Sequence, residues 1–318
     1  MNFRQIAVSI CLVLAVLLGG CAQRQPAVPV PALTLSTGSA GGTFVEYGDK
    51  LAMLLSSSGS ATVRTSGSGG SLDNLRCLSG ATCDLALVAM ASAFEAWNGL
   101  QWAKDRPVRG YSVMFPMYET PFHLATIASS GITRFDDLAG KKVGVGPKGG
   151  ANELIFSALA ADLQPPAQMV YGTPQEMAER VIDGKVTAFF FGAGAPVPAY
   201  REIAQRAAIV FLPIDGQALV NARKIFPYLT TTLLPANSYR GQLTSVQTLG
   251  LWNFVLVRDG VSSDAVYSMT RAVLGRGDLS TVLHLLASQT TPSNLKANTF
   301  LPVHPGAQRF YREAGVAP

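Results

Sequence analysis

The sequence predicts an α/β chain folded into two lobes with a ligand cleft between them, and three observations carry this. Short apolar strand-like runs alternate with helix-period segments along the chain. A glycine-rich loop follows such a strand three times, and each loop opens onto a helix. The length of 318 residues suffices for two domains with their own cores. Charged residues make up 14%, well below the usual share of about a quarter, and glycine is abundant at 31 residues. This is the composition of compact layers joined by tight turns, not of a disordered chain. The formal charge of +5 is scattered, with no basic run and no aromatic-interleaved stripe, so nucleic acid is not an expected partner.

Residues 1–20 read as an export signal, with Arg4, an apolar run from Ile6 to Leu18, and small Gly19 and Gly20 before Cys21. The run is too short for an ordinary membrane span. Leu18-Gly19-Gly20-Cys21 resembles the bacterial lipobox, which implies cleavage before Cys21 and acylation of its thiol. The expected location is periplasmic, anchored by lipid to the inner or outer membrane. Residues 21–32, with Pro26, Pro29 and Pro31 and no hydrophobic period, read as an extended tether.

Leu33-Thr34-Leu35 is the first predicted strand, and Thr37-Gly38-Ser39-Ala40-Gly41-Gly42 the first glycine-rich loop. Thr43 and Glu46 have capping-box spacing, ahead of an apolar face of Phe44, Tyr47, Leu51, Leu54 and Leu55. Ala61 to Thr65 is a second strand. Ser66-Gly67-Ser68-Gly69-Gly70 is the second loop, with Ser71 as N-cap of a helix through Leu72, Leu75 and Leu78. A strand over Asp84 to Met90 and a helix from Ala91 to Trp97 follow. Gly110–Pro121 and Phe122–Ile127 are strand-like, and the chain is expected to enter a second lobe near Ser129-Ser130-Gly131. There the pattern continues: a helical turn at Phe135–Leu138, a strand from Lys142, a third loop through Pro147, Lys148, Gly149 and Gly150, and a helix from Asn152 to Leu163. Met169–Tyr171 and Val186–Phe191 are strands around a helix from Pro174 to Asp183. Ser245–Val257 is the return strand, with helices expected from Asp264 and Leu279. The alternation implies mainly parallel sheets. The lobes are expected to comprise residues 33–121 plus 246–318, and residues 122–245.

Loops of this kind expose backbone N–H groups at the positive end of a helix dipole, a setting for an anion such as a carboxylate. Thr37, Gly38, Ser39, Gly41, Gly42, Thr43, Ser68, Gly70, Ser71, Lys148, Gly149, Gly150 and Asn152 are therefore the candidate ligand-binding residues. Tyr118 fits either a ligand contact or a core aromatic, and Glu119 either a ligand contact or a hinge acceptor. Gly144-Val145-Gly146-Pro147-Lys148-Gly149 formally matches a dinucleotide fingerprint. The next strand, however, lacks a terminal acidic residue for a ribose. The three histidines, His123, His284 and His304, lack metal-ligand spacing. No metal, cofactor or catalytic residue is assigned. With Cys11 removed and Cys21 acylated, Cys77 and Cys83 are expected to form a disulfide, the alternative being two buried thiols.

Several segments together resemble the TAXI family of TRAP transporter solute-binding receptors. They are Ser36 to Phe44, Gly70-Ser71-Leu72-Asp73-Asn74-Leu75, Gly131-Ile132 with Asp137 to Val143, Ala188-Phe189-Phe190, and His304-Pro305-Gly306-Ala307 with Tyr311. The resemblance implies a type II periplasmic binding protein fold that closes on a small carboxylate or amino acid such as glutamate. It also implies a membrane permease as partner, with fused large and small subunits expected. Gly150, Ala151 and Asn152 stand where the family has Ser-Gly-Thr, and Thr187 where it often has Asp before Ala-Phe-Phe. The departures bear on which ligand fits. A ligand-sensing lipoprotein and an enzyme acting on a small anion are the rival readings.

Overall fold

The computed structural model describes residues 30–38, 43–146, 148 and 151–318. The expected signal, Cys21 and most of the tether lie outside them, as do Ser39, Gly41, Gly42, Gly149 and Gly150. The chain divides into Met1–Pro31 and one compact unit, Ala32–Pro318, described below.

The unit opens with β1 (Ala32–Ser36), α1 (Thr43–Ser56), β2 (Thr62–Ser66), α2 (Ser71–Ser79), β3 (Leu85–Ala89) and α3 (Met90–Asn98). These are two consecutive strand–helix–strand crossovers, so β1 pairs in parallel with both β2 and β3. A single long strand follows, β4 (Tyr111–Ile127). Next come β5 (Lys142–Gly144), α4 (Ala151–Leu159), β6 (Gln168–Val170), α5 (Pro174–Ile182) and β7 (Ala188–Gly192), in which β5 pairs in parallel with β6 and β7. Then come α6 (Pro198–Arg206), β8 (Ile209–Phe211), α7 (Gly216–Ile225) and β9 (Leu229–Leu234). The return strand is β10 (Val246–Arg258), followed by α8 (Ser263–Leu274), α9 (Leu279–Val282) and α10 (Pro305–Glu313).

The ten strands form one sheet, eight of them in the order β2-β1-β3-β10-β4-β7-β5-β6, with β8 beside β4 and β9 beside β10. The sheet is mixed rather than mainly parallel. Both crossing strands lie antiparallel to their neighbours, β10 to β3, β4 and β9, and β4 to β7 and β8. The reason is that neither is joined to a neighbour by a helical crossover of the kind that enforces parallel pairing. The strand β4 changes partner part-way along its length. Residues up to Pro121 pair with β10, and Phe122 onward with β7. Pro121 has no N–H to continue a ladder, so the exchange falls there rather than at Ser129–Gly131.

Leu35, Leu87, Val88, Phe115, Phe254 and Val255 are fully buried along the central strands. A second core gathers Phe189, Tyr200, Phe211 and Tyr239 around His123. At the C-terminus, His304 Nδ1 accepts from the Gly306 N–H at 3.2 Å and caps α10, while Pro305 fills its first position. A Cβ on Gly306 would lie 2.2 Å from the Ser263 carbonyl oxygen, so glycine lets α10 close onto α8. The helix expected from Leu279 is a single turn.

Cys77 and Cys83 are bridged, with Cα atoms 5.3 Å apart. Closing so short a loop contributes about 2 kcal/mol in the chain-entropy model. Thiol titration of unfolded, unreduced protein is expected to find neither cysteine reactive, and two alkylatable thiols would contradict the bridge. Among the described residues, no helix is long and apolar enough to cross a membrane.

Candidate functional site

The parallel strands β1, β2 and β3 end along one edge, and there the first two glycine-rich loops are tied together. Thr37 is buried, and both its N–H and its hydroxyl donate to the Ser66 carbonyl, at 2.9 and 3.2 Å. The Ser68 N–H donates to the Gly38 carbonyl at 3.1 Å. Asn74, fully buried in the first turn of α2, is the centre of this edge. Its amide donates to the carbonyls of Thr37 (2.7 Å) and Leu87 (2.6 Å), while its Oδ1 accepts from the Ser36 hydroxyl at 2.6 Å. Sequence reasoning quoted Asn74 only inside a motif. The available signal was a polar residue at a buried helical position, since Asn74, Leu75 and Leu78 form the inner face of α2 while Leu72 is 37% exposed.

The expected cap of α2 shifts by one residue. Gly70, at φ 112°, is the N-cap of α2 and makes no side-chain cap bond, so the first-turn N–H groups lack that partner. Ser71 is the first helical residue, and its hydroxyl oxygen accepts from the Ala89 N–H at 3.0 Å, leaving its own hydrogen to donate. The Gly70 N–H donates to the Ser68 hydroxyl oxygen at 3.0 Å. The helix α1 is described from Thr43 onward, and the residues just before it lie outside the described ones. Glu46 faces Lys50 at 3.9 Å and His284 at 3.8 Å.

On the far side, the described part of the third loop turns at Gly146, φ +77°, where a Cβ would press on the Phe191 ring at 3.3 Å. Lys148 is exposed, its ammonium 5.7 Å from the centre of the Tyr171 ring. Asn152 Oδ1 accepts from the Gly192 N–H at 2.9 Å, which fixes its side chain at the carboxyl end of β7. Thr187 lies at the opposite, amino end of β7, beside Lys141 and Ser130, and so away from this edge.

Tyr118 is 3% exposed, its ring 5.6 Å from that of Tyr47. Burial pushes both phenols well above their ordinary value. Glu119 sits next to the partner exchange; its N–H donates to Gln289 at 2.7 Å and its carboxylate accepts from Thr230. These bonds tie Glu119 to the segment carrying Gln289 and to β9.

Between α2, α3 and α4 lies a cavity of about 390 Å³ whose walls include Leu72, Ala91, Glu95 and Trp102 on one side and Ala151 and Leu154 on the other. The first turns of α2 and α4 thus border one space. No group of three or more His, Cys, Asp or Glu able to hold a metal ion occurs among the described residues.

A family model described as NMT1-like matches residues 35–315, nearly the whole compact unit. The chain belongs to the NMT1-like family. Solved structures similar to this NMT1-like chain share its architecture at low identity. A TctC solute-binding protein from Polaromonas, solved without ligand, is 14% identical at a TM-score of 0.53, over 80% of this chain and 88% of that one. A periplasmic sulfonate-binding protein of a putative sulfonate ABC transporter from Methylobacillus flagellatus KT is 15% identical at 0.50, over 77% and 69%. A periplasmic transporter structure is 15% identical at 0.50, over 91% and 94%. The likeness establishes the fold: the NMT1-like chain has the two-lobe α/β architecture of type II periplasmic binding proteins, joined by β4 and β10.

Proposed function

We propose that this chain is the extracytoplasmic solute-binding receptor of a TAXI-type TRAP transporter, a binding protein rather than an enzyme. It captures a small carboxylate or amino acid such as glutamate and delivers it to a membrane permease with fused large and small subunits. The observation that carries this reading is the cavity bordered by the first turns of α2 and α4, helices on opposite sides of the crossing strands. Ligands of open α/β sheets bind at the carboxyl ends of strands. Uncapped N–H groups in the first turn of α2, with hydroxyls of Thr43 and Ser71, suit a carboxylate without an arginine clamp. Four or five charge-assisted hydrogen bonds, less desolvation and ordering, leave about 8 kcal/mol, a micromolar affinity. Residues 33–121 plus 246–318 then form one lobe and residues 122–245 the other. The two close by bending at Glu119–Pro121 and at the start of β10.

Calorimetry with small carboxylates is expected to show Ser71→Ala and Ser39→Ala each weakening binding about tenfold, in keeping with one lost hydrogen bond to a charged group. Small-angle scattering is expected to show compaction on binding. A best ligand that is cationic or wholly apolar, or unchanged affinity in both variants, would refute the mechanism. Membrane attachment is expected through a lipid on Cys21. Detergent partition and mass spectrometry of the N-terminal peptide test it, and an unmodified peptide in the aqueous phase excludes the anchor.

A further inference from the structure

Residues 284–290 follow α9 and hold only one 3₁₀ turn, Leu285–Gln289, yet their side chains reach three other parts of the molecule. The first is α1. His284 Nε2 lies 3.8 Å from Glu46, and the Tyr47 hydroxyl lies 2.7 Å from Thr290 Oγ1. Thr290 donates its single hydroxyl hydrogen to the Met117 carbonyl at 2.7 Å, so Tyr47 is the donor of that pair. The second is β4, through Met117 and through Gln289 Oε1, which accepts from the Glu119 N–H at 2.7 Å. The third is the loop leaving β7. A Cβ on Gly194 would lie 3.4 Å from Leu286 Cδ1, so a methyl group fills the gap between them.

The stretch of β4 held in this way is irregular. Trp252 pairs with Glu119 and Phe254 with Pro116, so Asn253 alone faces both Met117 and Tyr118. This is a β-bulge, which bends its strand and leaves backbone groups outside the ladder. Side chains take them up: the Asn253 amide donates to the Tyr118 carbonyl at 3.0 Å, Thr290 serves Met117, and Gln289 serves the Glu119 N–H. Beyond Glu119 the strand passes from β10 to β7. A change of angle between the two sides of the sheet therefore falls on bonds that Gln289 and Thr290 make. Gly194 lies past the carboxyl end of β7, and Glu46 lies in the first turn of the helix that follows β1. Closing brings those two edges together, with Leu286 between them.

We propose that residues 284–290 form a strap over the crossing of β4 that sets how far the two sides of the molecule close, with Leu286 against Gly194 as the stop. The proposal rests on the hinged-receptor reading above and deepens it by naming what limits the hinge. In this arrangement the strap is a positioning element: it answers to α1 at one end and to the bulge at the other, and the volume between Leu286 and Gly194 fixes the resting angle.

The test uses the purified full chain without added ligand, read by small-angle scattering and by hydrogen exchange of the Glu119 amide. Gly194→Val is expected to prop the two sides apart, raising the radius of gyration and speeding Glu119 exchange about tenfold as Gln289 is displaced. Gly194→Ala, whose methyl fits the gap, is expected to match the wild type in both. Adding Leu286→Ala to Gly194→Val is expected to restore both, because it removes the side chain on which the valine presses. Leu286→Trp sets the same wedge from the strap should Gly194→Val fold poorly. An unchanged Glu119 amide in the folded wedge variant, or a defect that persists in the double variant, overturns the strap. Failure to find any carboxylate that binds strikes the receptor reading instead, and the exchange result, obtained without ligand, still decides the strap.

Discussion

Asn74→Ala is expected to lower global stability by about 4 kcal/mol and to abolish carboxylate binding. The substitution strands the Thr37 and Leu87 carbonyls and the Ser36 hydroxyl in a dry interior, and each such group costs about 1 to 3 kcal/mol. It also unties the ends of β1 and β3 from α2, so that the first two loops lose their common anchor. Asn74→Asp keeps the volume but turns two donors into acceptors facing carbonyls, and is expected to be no milder. Denaturant unfolding of both variants reads the effect, and a loss below about 1 kcal/mol would show that the edge is not held by this side chain.

Acidification from pH 7 to pH 4 is expected to remove about 3 kcal/mol of stability through His123 alone. The imidazole is 1% exposed, ringed by Tyr200, Phe211 and Tyr239, with Nε2 2.9 Å from the Tyr239 hydroxyl. Burial lowers its pKa from 6.5 to about 4, with the Pro121 and Phe191 backbone carbonyls opposing the shift in part. The unfolded chain therefore takes up the proton first. Stability is intact above pH 6.5 and drains away as the pH falls toward 4. Carboxylates titrate in the same range, so the measurement is a difference. Wild type and His123→Gln are unfolded at both pH values, and the wild type is expected to lose about 3 kcal/mol more. Equal losses would show that His123 is not the group responsible.

The first crossovers were legible because each strand, glycine-rich loop and helix carries its own local signal. Leu33–Leu35 to Thr43–Leu55 and Ala61–Thr65 to Ser71–Leu78 match β1, α1, β2 and α2 to within a residue or two. Residues 193–244 were not legible. There β8 is three residues long, and the pattern of β9, Leu-Thr-Thr-Thr-Leu-Leu, acquires a partner only when β10 arrives. Strand direction across the middle of the sheet escaped for the same reason: it is set by pairings between segments far apart in sequence. At the site, the serine expected to cap α2 lies instead in its first turn, behind a glycine cap. A shift of one residue changes what a hydroxyl can reach, and only tertiary contacts such as Ser71 with Ala89 decide it.

The placement of β10 between β3 and β4 also dictates when the molecule can first exist. A nascent chain that has emerged only as far as β9 holds two apolar strands with long open edges, one of them the uninterrupted Leu85-Ala86-Leu87-Val88-Ala89. No earlier segment fills that gap, so ribosome stalling or proteolysis upstream of Val246 yields an adhesive fragment rather than a smaller working protein.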